Sequence, residues 1–84
     1  QRERYVGASG NNRISDKSTK TTLQETKNVK RQGLTSQIKD GITHAKNTQR
    51  KYILWTRKST KITKPLTEKI KNGEVIRKNI PGSN

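Results

Sequence analysis

Cysteine, methionine and phenylalanine are absent from this chain of 84 residues, and acidic residues number only six. Without cysteine there is no disulfide scaffold and no thiolate site for zinc or redox chemistry. Hydrophobic residues make up 24% and aromatic residues 4% of the chain, so any core is thin. No apolar run approaches the roughly 18 residues of a membrane span, and membrane insertion by this segment is not expected. The N-terminus lacks the apolar stretch of a signal peptide. The first residue is Gln1 rather than Met. The expectation is a single domain over residues 1–84 that forms the C-terminal piece of a longer protein.

Positive charge is what the chain has in excess. Twenty Lys and Arg against six Asp and Glu give a formal net charge of +14. Such a balance points to a polyanionic partner, nucleic acid first and an acidic protein second. A membrane surface fits less well, because no segment joins a basic face to a broad apolar one. High charge with low hydrophobicity also describes disordered chains. Here, however, the apolar residues collect in short periodic blocks separated by turn residues, which is the pattern of a folded domain.

The blocks predict a β-β-β-α-β-α-β order. Arg4–Ala8 and Arg13–Asp16 read as a hairpin across Ser9-Gly10-Asn11-Asn12. Lys17–Thr21 reads as a polar loop, Thr22–Val29 as a strand and Lys30–Gly33 as a basic turn. Leu34, Ile38, Ile42 and Ala45 recur at helical spacing over about residues 35–48. Gly41 falls within that stripe and permits close packing on a sheet. Tyr52–Trp55 is the most apolar run and predicts a central strand buried on both faces. A loop follows over Arg57–Lys64. Pro65 opens a second helix with Thr63 as its cap, Leu66 and Ile70 point inward, and Asn72-Gly73 ends it. Val75–Ile80 closes the chain as a strand. Strand–helix–strand steps favour parallel pairing, so the fold class is α/β, a small mixed sheet with two packed helices.

With carboxylates so scarce, their placing is informative. In a strand, residues two apart share a face, so Glu25 and Lys27 project together and Thr26 points away. A tight excursion over Lys17–Thr21 brings Asp16 beside Glu25. Two adjacent carboxylates repel, and a hard divalent cation with oxygen ligands relieves the repulsion. Mg²⁺, or another divalent ion such as Mn²⁺, held there polarises a phosphoryl oxygen and lowers the pKa of a bound water. The Thr26 carbonyl can supply a further ligand, and Lys27 can orient the attacking water. By spacing alone, the same residues also describe an exposed cross-strand ion pair worth about 0.2–1 kcal/mol.

Arg13-Ile14-Ser15-Asp16 followed by Leu23-Gln24-Glu25-Thr26-Lys27-Asn28-Val29 resembles the core of the PD-(D/E)xK nucleases. More closely, it resembles the restriction-endonuclease-fold toxins at the C-termini of bacterial polymorphic toxins, LXG-type proteins among them. The likeness continues through Gln37-Ile38-Lys39-Asp40, Leu54-Trp55-Thr56-Arg57, Thr60-Lys61, Pro65-Leu66, Gly73-Glu74 and Ile80-Pro81, about residues 13–81. It implies a restriction-endonuclease-like core in which Asp16 and Glu25 bind the metal and Lys27 serves the water. Two departures stand out. Ser15 occupies a position usually held by Pro. The family usually opens with a helix that often brings another acidic residue; almost nothing precedes Arg4 here, Glu3 is the only candidate for that acid, and this fragment is expected to lack the helix.

The remaining residues read as structural or electrostatic. His44 is expected on the helix surface, Tyr52 and Trp55 in the core rather than stacked on bases, and Asp40, Glu68 and Glu74 as helix or strand-edge charges. Gln37 borders the apolar stripe, either reaching the site or a phosphate or lying on the helix surface. Lys30, Arg31, Lys39, Lys46 and Arg50 are expected along a phosphate-backbone track, with Lys39, Lys46 and Arg50 sharing the polar helix face. The function these features imply is a metal-dependent nuclease toxin, most simply a DNase. It would be secreted within a larger toxin, act in the cytoplasm of a target bacterium, and be neutralised by an acidic cognate immunity protein. Rival readings are a non-catalytic basic nucleic-acid-binding module of the small ribosomal type and a domain that binds only an acidic protein.

Overall fold

The chain opens as a hairpin in which Arg4–Val6 (β1) pairs antiparallel with Asn12–Ile14 (β2), and Gly10 takes a φ of 91° in the turn. The computed structural model describes all 84 residues. After the hairpin come Lys17–Ser18 (β3), Thr22–Lys27 (β4), Arg31–Gln32 (β5), Ser36–Asn47 (α1), Lys51–Thr56 (β6), Lys61–Ile62 (β7), Lys64–Lys71 (α2) and Ile76–Asn79 (β8). The main sheet has the order β3-β4-β6-β8. Its first pair is antiparallel and the other two are parallel, as the strand–helix–strand spacing requires.

Three expectations are corrected. The β1–β2 hairpin forms its own two-stranded sheet, and the antiparallel portion of the main sheet is β3, inside the segment expected to be a loop. The basic turn over Lys30–Gly33 and the loop over Arg57–Lys64 each contain a two-residue strand, and these pair in parallel. Such short strands carry no readable alternation; the partner creates them. Thirdly, β6 is buried on both faces over Tyr52–Leu54, as expected, but Trp55 is only half-buried.

Both helices lie on one face of the main sheet. Leu23, Tyr52 and Leu54 meet Ile38, Ile42 and Ala45 of α1, Leu66 of α2, and Val75 in one buried cluster. The other face carries buried Gln24 and Ile53, half-buried Trp55 and exposed Thr26, Ile76 and Lys78. Thr35 caps α1, its hydroxyl accepting from the Ile38 N–H at 3.3 Å, a contact of the kind worth about 1 kcal/mol. Thr63 stands at the cap of α2 but makes no side-chain cap bond, and Pro65 opens that helix. Gly41 is where α1 comes closest to the sheet, because a Cβ there would collide with the Tyr52 ring.

Candidate active site

Strand alternation sets the first half of the site. On β4, Leu23 and Glu25 are buried toward the helices while Thr26 is exposed on the far side. The second half comes from the residue just before β3. The Asp16 N–H donates to the Gln24 carbonyl at 3.2 Å, and its carboxylate Oδ2 accepts the Thr26 N–H at 2.8 Å. These two bonds hold Asp16 opposite Glu25, close enough for its carboxylate to raise the Glu25 carboxyl.

Glu25 is only 2% exposed. Burial pushes its carboxyl up to about 8; hydrogen bonding and negative charge from Asp16 add to the shift, and the Lys27 ammonium opposes it. Its Oε2 is buried without a hydrogen-bond partner. The hydroxyls of Tyr5 and Tyr52 are also buried and unpartnered. Both phenols are raised, by burial first and by the Glu25 charge second, Tyr5 to about 12. The Lys27 Nζ donates to Gln37 Oε1 at 2.6 Å, so the first turn of α1 fixes the ammonium beside the carboxylates.

The donors fit a hard divalent cation. Two carboxyls face one another, and one has a buried oxygen that nothing in the protein satisfies. The Thr26 N–H points to the β3 edge of the strand, and the carbonyl of one strand residue shares the direction of its N–H. That places a third oxygen on the same edge. No third Asp, Glu or His joins the pair.

Glu3 lies elsewhere. Its carboxylate is held well below the usual range, by Arg50 first and then by Ser18 and His44. His44 is not a plain surface residue: its ring stacks on Tyr5 at 4.1 Å and bonds Glu3. Arg50, expected on a phosphate track, is locked within the fold instead of standing free on the surface. Its three nitrogens bond Glu3, Ser18, Thr48 and neighbouring groups, and only 9% of the side chain is exposed. Asp40 is equally structural. It is buried, accepts from Ser9 and Arg13, and ties the hairpin to α1. Glu74 is likewise no mere edge charge, because Lys46 and Lys69 both pair with it. Lys46 is thereby partly engaged, whereas Lys30, Arg31 and Lys39 are exposed and make no ion pair with an acidic side chain. Ser15 does what Pro cannot. It is fully buried, its N–H donates to the Glu3 carbonyl at 2.9 Å, and its hydroxyl accepts the Glu3 N–H at 3.0 Å.

A cleft of about 300 Å³ opens from Asp16 across the helix-free face, lined by Lys17, Gln24, Thr26, Trp55, Ile80 and Pro81. None of the cations expected along a phosphate track lines it. The signal for its residues was the same alternation that placed Glu25: Gln24 and Thr26 had to face away from the helices, and in the parallel register they stand beside Ile53 and Trp55. Trp55 is accordingly half-buried rather than a core residue.

No helix is long and apolar enough to cross a membrane. No curated protein and no solved structure matches the chain. A family model described as restriction endonuclease fold toxin 7 matches residues 1–66. The match takes in the whole hairpin, the carboxylate pair, α1 and β6, and stops before β8. It covers well over half of the sequence, and the chain belongs to that family of restriction-endonuclease-fold toxins.

Proposed function

We propose that the chain is a metal-dependent endonuclease that hydrolyses phosphodiester bonds, with DNA as its principal substrate. The observation that carries this reading is the facing pair Asp16 and Glu25, one of whose oxygens is buried without a partner, set beside the Lys27 ammonium. Asp16, Glu25 and the Thr26 carbonyl would hold a divalent cation, Mg²⁺ or Mn²⁺. When bound, that ion would polarise the phosphoryl group and ease deprotonation of water. Lys27 orients the attacking water and offsets negative charge as it develops on the phosphate. Gln37 positions Lys27. Lys30, Arg31, Lys39 and the outer part of Lys46 supply phosphate contacts that carry little sequence information.

As a toxin domain, residues 1–84 act as one unit, the payload of a larger secreted protein delivered into the cytoplasm of a target bacterium. The producing cell then needs an immunity protein, and a charge of +14 favours an acidic contact face on it, with association steered electrostatically. The test is incubation of the purified chain with plasmid and with total RNA, with and without Mg²⁺, beside Asp16→Ala. Plasmid cleavage that needs Mg²⁺ and is lost in Asp16→Ala is the expected result. Binding without cleavage under every condition would leave the chain a basic nucleic-acid-binding module.

A further inference from the structure

The cleft on the helix-free face shares Asp16 and Thr26 with the candidate cation site, while Lys17, Gln24, Trp55, Ile80 and Pro81 have no part in holding the cation or the water. Trp55 lines it, and its indole is fixed edge-on: Nε1–H donates to Gln24 Oε1 at 2.8 Å. An in-plane bond of this kind locks the orientation of the ring and uses none of its π surface. The Lys78 Nζ stands over the ring, 5.6 Å from the centroid. Lys78 is exposed and makes no ion pair with an acidic side chain, and Lys17 stands at the Asp16 end. The cleft thus combines an oriented aromatic ring with the Lys78 ammonium over it, and Lys17 next to Asp16 at its start.

We infer that this cleft receives one unpaired nucleobase of the substrate strand, stacked on Trp55, so that the chain acts on single-stranded or locally melted nucleic acid. A volume near 300 Å³ lies at the small end for ligand sites and suits one planar ring system rather than the end of a duplex. A base inside a duplex is covered on both faces by its neighbours, so only an unpaired base offers a π face to the indole. Lys78 moves off the ring onto a phosphate as the base arrives, and Lys17 meets the phosphate nearer Asp16. Gln24 cannot read the base with the carbonyl oxygen it gives to Trp55, so stacking here tolerates any base.

The inference rests on the hydrolytic reading only for the position of the scissile link; the base site itself is measurable without cleavage. Trp55 is the sole tryptophan, so its fluorescence reports the cleft alone. With EDTA present, the full chain is titrated with three DNA probes: a single-stranded oligonucleotide, the same strand annealed to its complement, and the same strand built from abasic nucleotides. The single strand should quench Trp55 strongly, while duplex and abasic strand bind through charge and quench little. Trp55→Leu should weaken binding of the single strand about tenfold, the share of one stacked base, and bring it level with the duplex. Trp55→Phe, which keeps an aromatic face, should recover part of that loss. Equal quenching by all three probes overturns the base site and leaves the hydrolytic reading standing. Quenching confined to the single strand, in a chain that never cleaves with Mg²⁺, upholds the base site and removes the hydrolytic reading.

Discussion

Glu25 shows at the scale of one residue how a catalytic requirement works against stability. Its side chain is buried on the face of β4 that also carries Leu23, its charge acts on Tyr5 and Tyr52, and without a cation its carboxyl is raised from 4.5 to about 8. Between those values the folded chain keeps a proton that the unfolded chain releases, so the folded state binds more protons. Stability therefore falls as pH rises through that window, and the full penalty is present above about 8. Glu25→Gln copies the protonated form and carries no charge. It should raise the Tm by about 5 °C or more at pH 9 and change it little at pH 4.5, as read by thermal unfolding in EDTA. Adding Mg²⁺ at pH 8 should raise the Tm of the unsubstituted chain and leave Glu25→Gln unmoved. An equal Tm difference at both pH values would mean that the Glu25 charge is not what strains the fold.

At the scale of elements, the α1–β6 contact turns on Gly41. In an exposed helix, Ala in place of Gly stabilises by about 1 kcal/mol. Here the added Cβ would run into the buried Tyr52 ring, which is 2% exposed and has no room to swing. Overpacking of this kind costs about 1–3 kcal/mol. Gly41→Ala should therefore lower the Tm by roughly 5 °C, although it improves helix propensity; a rise would show that α1 can lift from the sheet without loss. Gly41 was legible in the sequence because it interrupts an apolar stripe, and so were α1, β4, β6 and the turn at Gly10. Each of these carries its period within its own residues. The strands β3, β5 and β7 did not show, because two residues have no period and exist only through pairing. The roles of Glu3, Asp40 and Arg50 were equally hidden. Their ionic partners lie 27 to 47 residues away, and charge type alone does not tell a solvated side chain from a locked one. Asp16 and Glu25 could be singled out because a short polar excursion joins them. Trp55 departs from the core because an apolar run does not show where along a strand its cover ends.

At the scale of the whole molecule, a charge of +14 does not mean fourteen phosphate contacts. Arg50, Arg13 and Lys46 are each paired with a carboxylate, and Arg50 is almost wholly enclosed. Only exposed, unpaired cations can displace counterions from a nucleic-acid backbone, and that displacement sets how steeply affinity falls with salt. The slope of log affinity against log salt, measured without divalent ions, therefore separates the two kinds of cation. Lys30→Gln and Arg31→Gln should each flatten it by about one unit if those side chains meet phosphates, with the Tm little changed. Arg50→Gln should do the opposite. It leaves the Glu3 carboxylate half-buried without its main partner, so the Tm drops while the slope of the remaining folded protein stays the same. A flatter slope in Arg50→Gln would show that this guanidinium leaves Glu3 to meet the nucleic acid, and that the hairpin it anchors shifts when substrate binds.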